Sequence, residues 1–124
     1  TTAIKSLAKI FKGADKKIQS LSFRVPTNIV TCGIFNFSLK KKTNLSAIKK
    51  LFIDYAKISQ NLIKINKDRL VSSDYKKIKH SAILDINWTK KINNNSFQII
   101  YWYDNECGYS NKILSIIKYI KENS

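Results

Sequence analysis

The chain has 124 residues, of which 23 are Lys or Arg and 8 are Asp or Glu, so its formal net charge is +15. A length of 124 residues fits one domain, and a hydrophobic content of 44% with 6 Phe, 6 Tyr and 2 Trp excludes an intrinsically disordered chain. The sequence shows neither an apolar run of about 20 residues nor a secretory leader, so we expect a soluble cytoplasmic protein. It contains no Met, which predicts that it is part of a longer polypeptide.

The first half of the sequence predicts a helix, two extended stretches and a second helix. The first helix has apolar residues three and four positions apart: Ile4, Leu7, Ala8 and Phe11. Residues 20–39 carry β-branched and aromatic side chains around Pro26, which is typical of two adjacent extended stretches. Thr43 or Asn44 then caps a helix that runs to about Ser59. The apolar face of this helix is formed by Leu45, Ile48, Phe52 and Tyr55.

The second half predicts clustered strands and a last helix. A polar connection over residues 60–68 leads to strands near 69–73 and 81–87 and a third over 88–92. Phe97–Tyr103 is almost continuously apolar and aromatic, which indicates a central strand covered on both faces. A C-terminal helix follows Ser110 or Asn111 as its cap. Its apolar stripe is formed by Ile113, Ile116, Ile117 and Ile120.

The order of these elements predicts the fold class. Helix, strands, helix, clustered strands and a last helix is an α+β order and not a strict βαβ alternation. We therefore expect a mixed, largely antiparallel sheet covered by helices, in one domain over residues 1–124.

The positive charge comes almost entirely from lysine, since Arg24 and Arg69 are the only arginines. Arginine is the side chain whose planar fork reads bases and clamps phosphates, and the lysines are spread along the whole chain. We interpret the charge as a solvated surface in a chain rich in Ile, Asn and Lys, and we expect neither a nucleic-acid nor a membrane partner. A basic nucleic-acid-binding module stays open as an alternative.

Residues that could catalyse a reaction or bind a metal are few. The chain has one histidine, His80, and two cysteines, Cys32 and Cys107, which lack the spacing of a metal site. Cys107 and His80 would form a nucleophile and base if the fold joined them, but a hydrogen-bonded His and an inert Cys are the more common case. A phosphate-binding loop is excluded because the three glycines are far apart.

The most informative segment is WYDNECGYSN at residues 102–111, where a strand ends in a polar cluster. Two interpretations stay open. An asparagine there would read a carboxamide in a cleft, or the cluster is an ordinary capped turn. In the turn, Asp104, Asn105 and Ser110 bond local backbone and Gly108 takes a positive φ.

Two other places have the chemistry of anion binding. Arg24 lies in the apolar stretch FRVPT, where its charge needs an ion-pair partner or an oxyanion. Thr1 and Thr2 precede a predicted helix and offer hydroxyls and free N–H groups, either for a phosphate or as a plain N-cap.

At these residues the chain resembles the glyceraldehyde-3-phosphate dehydrogenase family, which includes the erythrose-4-phosphate dehydrogenases. The resemblance runs from TTAIKSLAK through FRVPT, VSSDY and HSAILD to WYDNECGYSNK, which is essentially the whole chain. It implies that the chain is the C-terminal part of the family's α+β catalytic domain, without the Rossmann domain.

The resemblance implies roles for five residues. Thr1 matches the threonine that helps bind phosphate, and Thr2 stands where the family has a phosphate-contacting glycine. Arg24 matches a phosphate-contacting arginine. Asn105 matches the asparagine that holds the nicotinamide carboxamide of NAD, and Tyr109 matches the tyrosine packed near the ring.

The implied function is the NAD-dependent, phosphorylating oxidation of glyceraldehyde 3-phosphate to 1,3-bisphosphoglycerate in glycolysis. Its partners would be a phosphorylated sugar aldehyde, inorganic phosphate and the missing upstream segment, in a homotetramer. The family's catalytic Cys and His belong to that segment, and Cys32, Cys107 and His80 do not match them. We therefore assign no catalytic residue, and we expect no activity from this chain alone. Erythrose 4-phosphate as substrate, a degraded remnant that binds nucleic acid, and an aggregating fragment are the alternatives.

Overall fold

The computed structural model of the chain describes residues 2–18, 25–26, 29–59 and 61–124. In this part the chain forms helices and strands in the order α1 (Thr2–Ile10), α2 (Ala14–Lys17), β1 (Thr31–Ser38), α3 (Leu45–Ile58), β2 (Ile63–Asn66), a 3-10 helix (Ser72–Tyr75), β3 (Ala82–Lys91), β4 (Ser96–Tyr103) and α4 (Asn105–Glu122).

The strands form one four-stranded mixed sheet in the order β1-β4-β3-β2. The pairs β1–β4 and β3–β4 are antiparallel, and β2–β3 is parallel. This confirms the predicted α+β fold with a mixed, largely antiparallel sheet. The prediction that residues 97–103 form an inner strand is also confirmed, because β4 has a neighbour on each side.

The core lies on the sheet face that α3 covers. Leu84, Ile86 and Ile99 are buried there, and Phe52 of α3 packs against them. Asn44 begins α3, since its side-chain Oδ1 accepts a hydrogen bond from the Ala47 N–H at 2.7 Å. The 3-10 helix partly covers the opposite face of the sheet, because its last residue, Tyr75, stacks on Trp102 of β4.

Three sequence predictions are wrong in this part of the chain. Residues 60–68 are not only a polar connection, because β2 lies within them and pairs with the start of β3. Residues 69–73 are not a strand, because the Asp74 carboxylate accepts the Val71 N–H at 2.8 Å and a 3-10 turn follows. The predicted strands 81–87 and 88–92 are one strand, with an irregular register between Asp85 and Lys90.

The start of the last helix is also corrected. It begins at Asn105 and not after Ser110 or Asn111, because Asp104 is its N-cap. Gly108 is helical and does not have the positive φ of a capped turn. The first predicted extended stretch falls mainly on residues 19–24, which lie outside the described residues.

Most of α4 is exposed in the described part of the chain. Gly108 is the buried residue in this helix, whereas its predicted apolar stripe is exposed, with Ile116 at 52% and Ile117 at 56%. None of the helices described is both long and apolar enough to span a membrane.

Candidate functional site

The candidate site is a cleft where β4 ends and α4 begins. This open cleft has a volume of about 210 Å³. It is lined by Ser81, Tyr103, Asp104, Asn105, Gly108, Tyr109 and Lys112. Five of these seven residues lie in the WYDNECGYSN segment, so the structure places the polar cluster of that segment at a cleft.

Asp104 fixes the helix at this cleft. Its side chain is 5% exposed, and its Oδ1 accepts the N–H groups of Glu106 at 3.1 Å and Cys107 at 3.0 Å. These are two of the backbone donors that a helix start leaves without an intrahelical partner. The backbone donors, that of Cys107 above all, lower the pKa of the Asp104 carboxyl against the opposing effect of burial. Asp104 is therefore a buried carboxylate in its charged form.

The second oxygen of Asp104 bonds a different part of the chain. Its Oδ2 accepts the Lys77 N–H at 2.9 Å. Lys77 has a φ of 59°, a left-handed conformation that is uncommon for a lysine. The carboxylate thus connects the residue 76–81 loop to the start of α4.

Two further contacts hold this loop against the same segment. Before the loop, the ring of Tyr75 stacks on Trp102 with ring centroids 5.0 Å apart. After it, the backbone of His80 lies so close to Gly108 that an added Cβ would come within 3.3 Å of the His80 carbonyl oxygen. Gly108 therefore eases the close approach of the two backbones and does not form a turn.

Asn105 and Tyr109 lie in the first turns of α4 and both line the cleft. They are four residues apart, so they share one face of the helix. The Tyr109 side chain is 71% exposed, and the Asn105 amide makes no hydrogen bond within the part of the chain that the structure describes. Both side chains are thus available to a ligand.

The predicted phosphate-binding residues are not tested by the structure. Thr1 and Arg24 lie outside the described residues, and Thr2 is the first residue of α1. Their roles stay predictions.

The structure does not support a Cys–His pair. The Cys107 Sγ accepts a hydrogen bond from the Asn111 Nδ2 at 3.6 Å, and the Nδ1 of His80 is buried without a partner in the described part of the chain. Burial and the charge of Lys64 both lower the pKa of His80, so the imidazole is neutral. Across the described ranges, His, Cys, Asp and Glu side chains form no group of three that would hold a metal ion.

Sequence reasoning missed two residues that line the cleft. Ser81 comes from the residue 76–81 loop, which is close to α4 only in the folded chain. Lys112 lies seven residues after Asn105, a helical spacing that would have indicated it once the true start of α4 was known.

Comparison with known proteins identifies the family of the chain. The sequence profile of "Glyceraldehyde 3-phosphate dehydrogenase, C-terminal domain" matches residues 1–105. The chain belongs to the glyceraldehyde-3-phosphate dehydrogenase family. It is 34% identical over 121 residues to "Glyceraldehyde-3-phosphate dehydrogenase 3.1" of Caenorhabditis briggsae, an alignment that covers 97% of this chain and 36% of that protein.

Other relatives give the same result. The chain is 32% identical over 121 residues to "Glyceraldehyde-3-phosphate dehydrogenase 1" of Caenorhabditis elegans, which covers 97% of the chain and 36% of that protein. For the testis-specific enzyme of Bos taurus the identity is 33%, over 97% of the chain and 31% of that protein. The chain therefore spans about a third of the length of these glyceraldehyde-3-phosphate dehydrogenases.

Proposed function

We propose that this chain supplies the nicotinamide end of the cofactor site in an NAD-dependent, phosphorylating glyceraldehyde-3-phosphate dehydrogenase. The observation that carries the proposal is that Asn105 and Tyr109 share one face of α4 at an open cleft. The family resemblance had assigned these two residues to the nicotinamide.

The chemistry of the two side chains fits a nicotinamide. The Asn105 amide has one acceptor and two donor hydrogens, which complement the oxygen and the amino group of a carboxamide. The Tyr109 ring, one helical turn away, offers an aromatic face to the pyridine ring. When bound, NAD would accept the hydride of the reaction, and the part assigned to this chain is to bind and orient the ring.

The complete reaction needs residues that this chain does not contain. In the family, a cysteine thiolate attacks the aldehyde and a histidine removes the proton, and both belong to the upstream segment. The substrates in this proposal are glyceraldehyde 3-phosphate and inorganic phosphate, with Thr1, Thr2 and Arg24 as the phosphate-binding residues. Erythrose 4-phosphate is the alternative substrate. The chain alone should not reduce NAD.

The exposed face of α4 favours an upstream partner segment. A helix with Leu114 at 58%, Ile117 at 56% and Ile120 at 57% exposure would leave a large apolar surface in water. We assign the upstream segment of a full-length, cytoplasmic, tetrameric enzyme as the partner that covers it. Protection of α4 from proteolysis when the chain is co-expressed with that segment of a relative would support this assignment, and unchanged cleavage within α4 would contradict it.

A hybrid enzyme tests the proposed function. In this hybrid, our chain replaces the matching 121 residues of the Caenorhabditis briggsae enzyme. We expect the hybrid to reduce NAD in the presence of glyceraldehyde 3-phosphate and phosphate. We expect Asn105→Ala to lower kcat/KM for NAD about tenfold, which corresponds to the loss of about 1.4 kcal/mol of hydrogen bonding.

The matched control is Asn94→Ala, which removes an exposed asparagine in the β3–β4 turn. This variant should retain the full kcat/KM of the hybrid. A folded tetrameric hybrid without NAD reduction would refute the proposal, as would equal effects of the two alanine variants.

A further inference from the structure

The residue 76–81 loop reaches the cleft at its last residue, since Ser81 lines the cleft together with residues of α4. The loop and Tyr75, the residue before it, are held to the 102–108 segment by three successive contacts. They are the stack of Tyr75 on Trp102, the bond from the Lys77 N–H to Asp104, and the backbone approach at Gly108. The two segments therefore lie side by side.

The contact between Lys77 and Asp104 differs from the other two, because a single carboxylate bonds both segments. Oδ1 of Asp104 bonds the start of α4, and Oδ2 bonds the loop. A simple helix cap needs only one side-chain oxygen. The bond to the loop is therefore additional to capping.

The backbone of Lys77 supports the same interpretation. A φ of 59° is strained for a lysine and persists where the surroundings hold the residue in place. This conformation presents the Lys77 N–H to Asp104, which is 95% buried and immediately precedes Asn105.

We propose that Asp104 is a positioning residue, which holds the residue 76–81 loop and the start of α4 in one geometry and so sets where Asn105 and Tyr109 lie in the cleft. The effect of Asp104 on nicotinamide binding rests on the proposed function. Asp104 itself touches neither cofactor nor substrate in this proposal; it acts through Asn105.

Asp104→Asn separates the two roles of the carboxylate. The Oδ1 of the new side chain still accepts the N–H groups of Glu106 and Cys107. Its NH₂ group replaces Oδ2 and cannot accept the Lys77 N–H. Asp104→Ser is the second variant, because serine caps helices but is too short to bond both segments.

The first measurement is NMR of the 124-residue chain. In Asp104→Asn we expect hydrogen exchange of the Lys77 amide to accelerate about tenfold, and the Asn105 side-chain amide and Tyr109 ring signals to shift. Exchange of the Cys107 amide should stay slow. Lys77→Gly keeps the N–H donor and adopts a positive φ freely, so it should leave the Asn105 and Tyr109 signals in place.

The second measurement is the kinetics of the hybrid enzyme. Asp104→Asn should raise the KM for NAD about fivefold, with a smaller effect on kcat, and Lys77→Gly should change neither. A merely structural role would reduce the amount of active enzyme without changing this KM.

The proposal is overturned if Lys77 exchanges faster while the Asn105 and Tyr109 signals do not move, because the loop bond would then have only local effects. It is also overturned if the first turn of α4 unfolds in both variants, since Asp104 would then be a helix cap alone. If the hybrid is inactive with Asp104 intact, the proposed function fails, and the NMR measurement still decides whether Asp104 positions the two cleft residues.

Discussion

Tyr75 is the residue whose replacement tests the packing around the cleft most simply. It is fully buried, its ring stacks on Trp102, and its hydroxyl oxygen accepts the Asn66 Nδ2–H at 3.0 Å. Tyr75→Ala removes the ring and leaves a cavity beneath β4, which costs about 3–5 kcal/mol in the free energy of unfolding. Tyr75→Phe keeps the stacked ring and loses one buried hydrogen bond, which costs about 1 kcal/mol.

The smaller cost of the phenylalanine variant has a structural reason. The Asn66 Nδ2 also donates to the Asp68 carbonyl oxygen at 2.8 Å, so only one of its two hydrogens loses its acceptor. Urea denaturation of the chain and its two variants, followed by tryptophan fluorescence, measures both costs. Equal costs for Phe and Ala, or an Ala cost below about 1 kcal/mol, would refute the packing described here.

Three further predictions concern pH and backbone strain. Burial is the main cause that raises the pKa of Tyr75 from 10.0 to about 12, so the free energy of unfolding should fall as the pH rises between these values. Tyr75→Phe should reduce this dependence in alkaline denaturation curves and leave the part that comes from Tyr101, whose pKa burial also raises. The pKa of Asp104 is lower in the folded chain than its ordinary value of 3.8, so the charged carboxylate stabilises the fold. This stabilisation is complete above pH 3.8 and is lost as the pH falls through the lower folded pKa. An acid denaturation curve of Asp104→Asn that matches that of the parent chain would contradict this prediction. Lys77→Gly should increase the free energy of unfolding by about 1 kcal/mol in urea, because it relieves a left-handed conformation, and a decrease would show that the lysine is not strained.

The segments with strong periodicity could be predicted from the sequence. The spacing of Ile48 and Phe52 indicated α3, and the apolar run of residues 97–103 indicated an inner strand. In both cases the spacing of apolar residues along one element is enough to predict that element, because the spacing reflects the face that the element turns to the core.

The errors arose where a distant contact or a single side chain decides the local structure. β2 is a four-residue strand among lysines and asparagines, and only its pairing with β3 makes it one. Gly108 suggested a turn, but its role is to let α4 approach the His80 backbone. The start of α4 depends on Asp104, and the cleft depends on a loop whose position the sequence alone does not indicate.

The candidate site could be predicted in part from the WYDNECGYSN segment at residues 102–111. The polar cluster after β4 suggested a cleft, and the resemblance assigned Asn105 and Tyr109 to the nicotinamide. Ser81 and Lys112 could not be added from the sequence, because the first is distant in the chain and the second required the correct helix boundary.

The most direct test of the central claim is to compare NAD with its 3-acetylpyridine analogue as the cofactor of the hybrid enzyme. The analogue keeps the carbonyl oxygen and lacks the amino group that would donate to the Asn105 Oδ1. If Asn105 holds the carboxamide, Asn105→Ala lowers kcat/KM about tenfold with NAD and clearly less with the analogue, because one of the lost hydrogen bonds is already missing. An equal loss with both cofactors would contradict the assignment of Asn105 to the carboxamide.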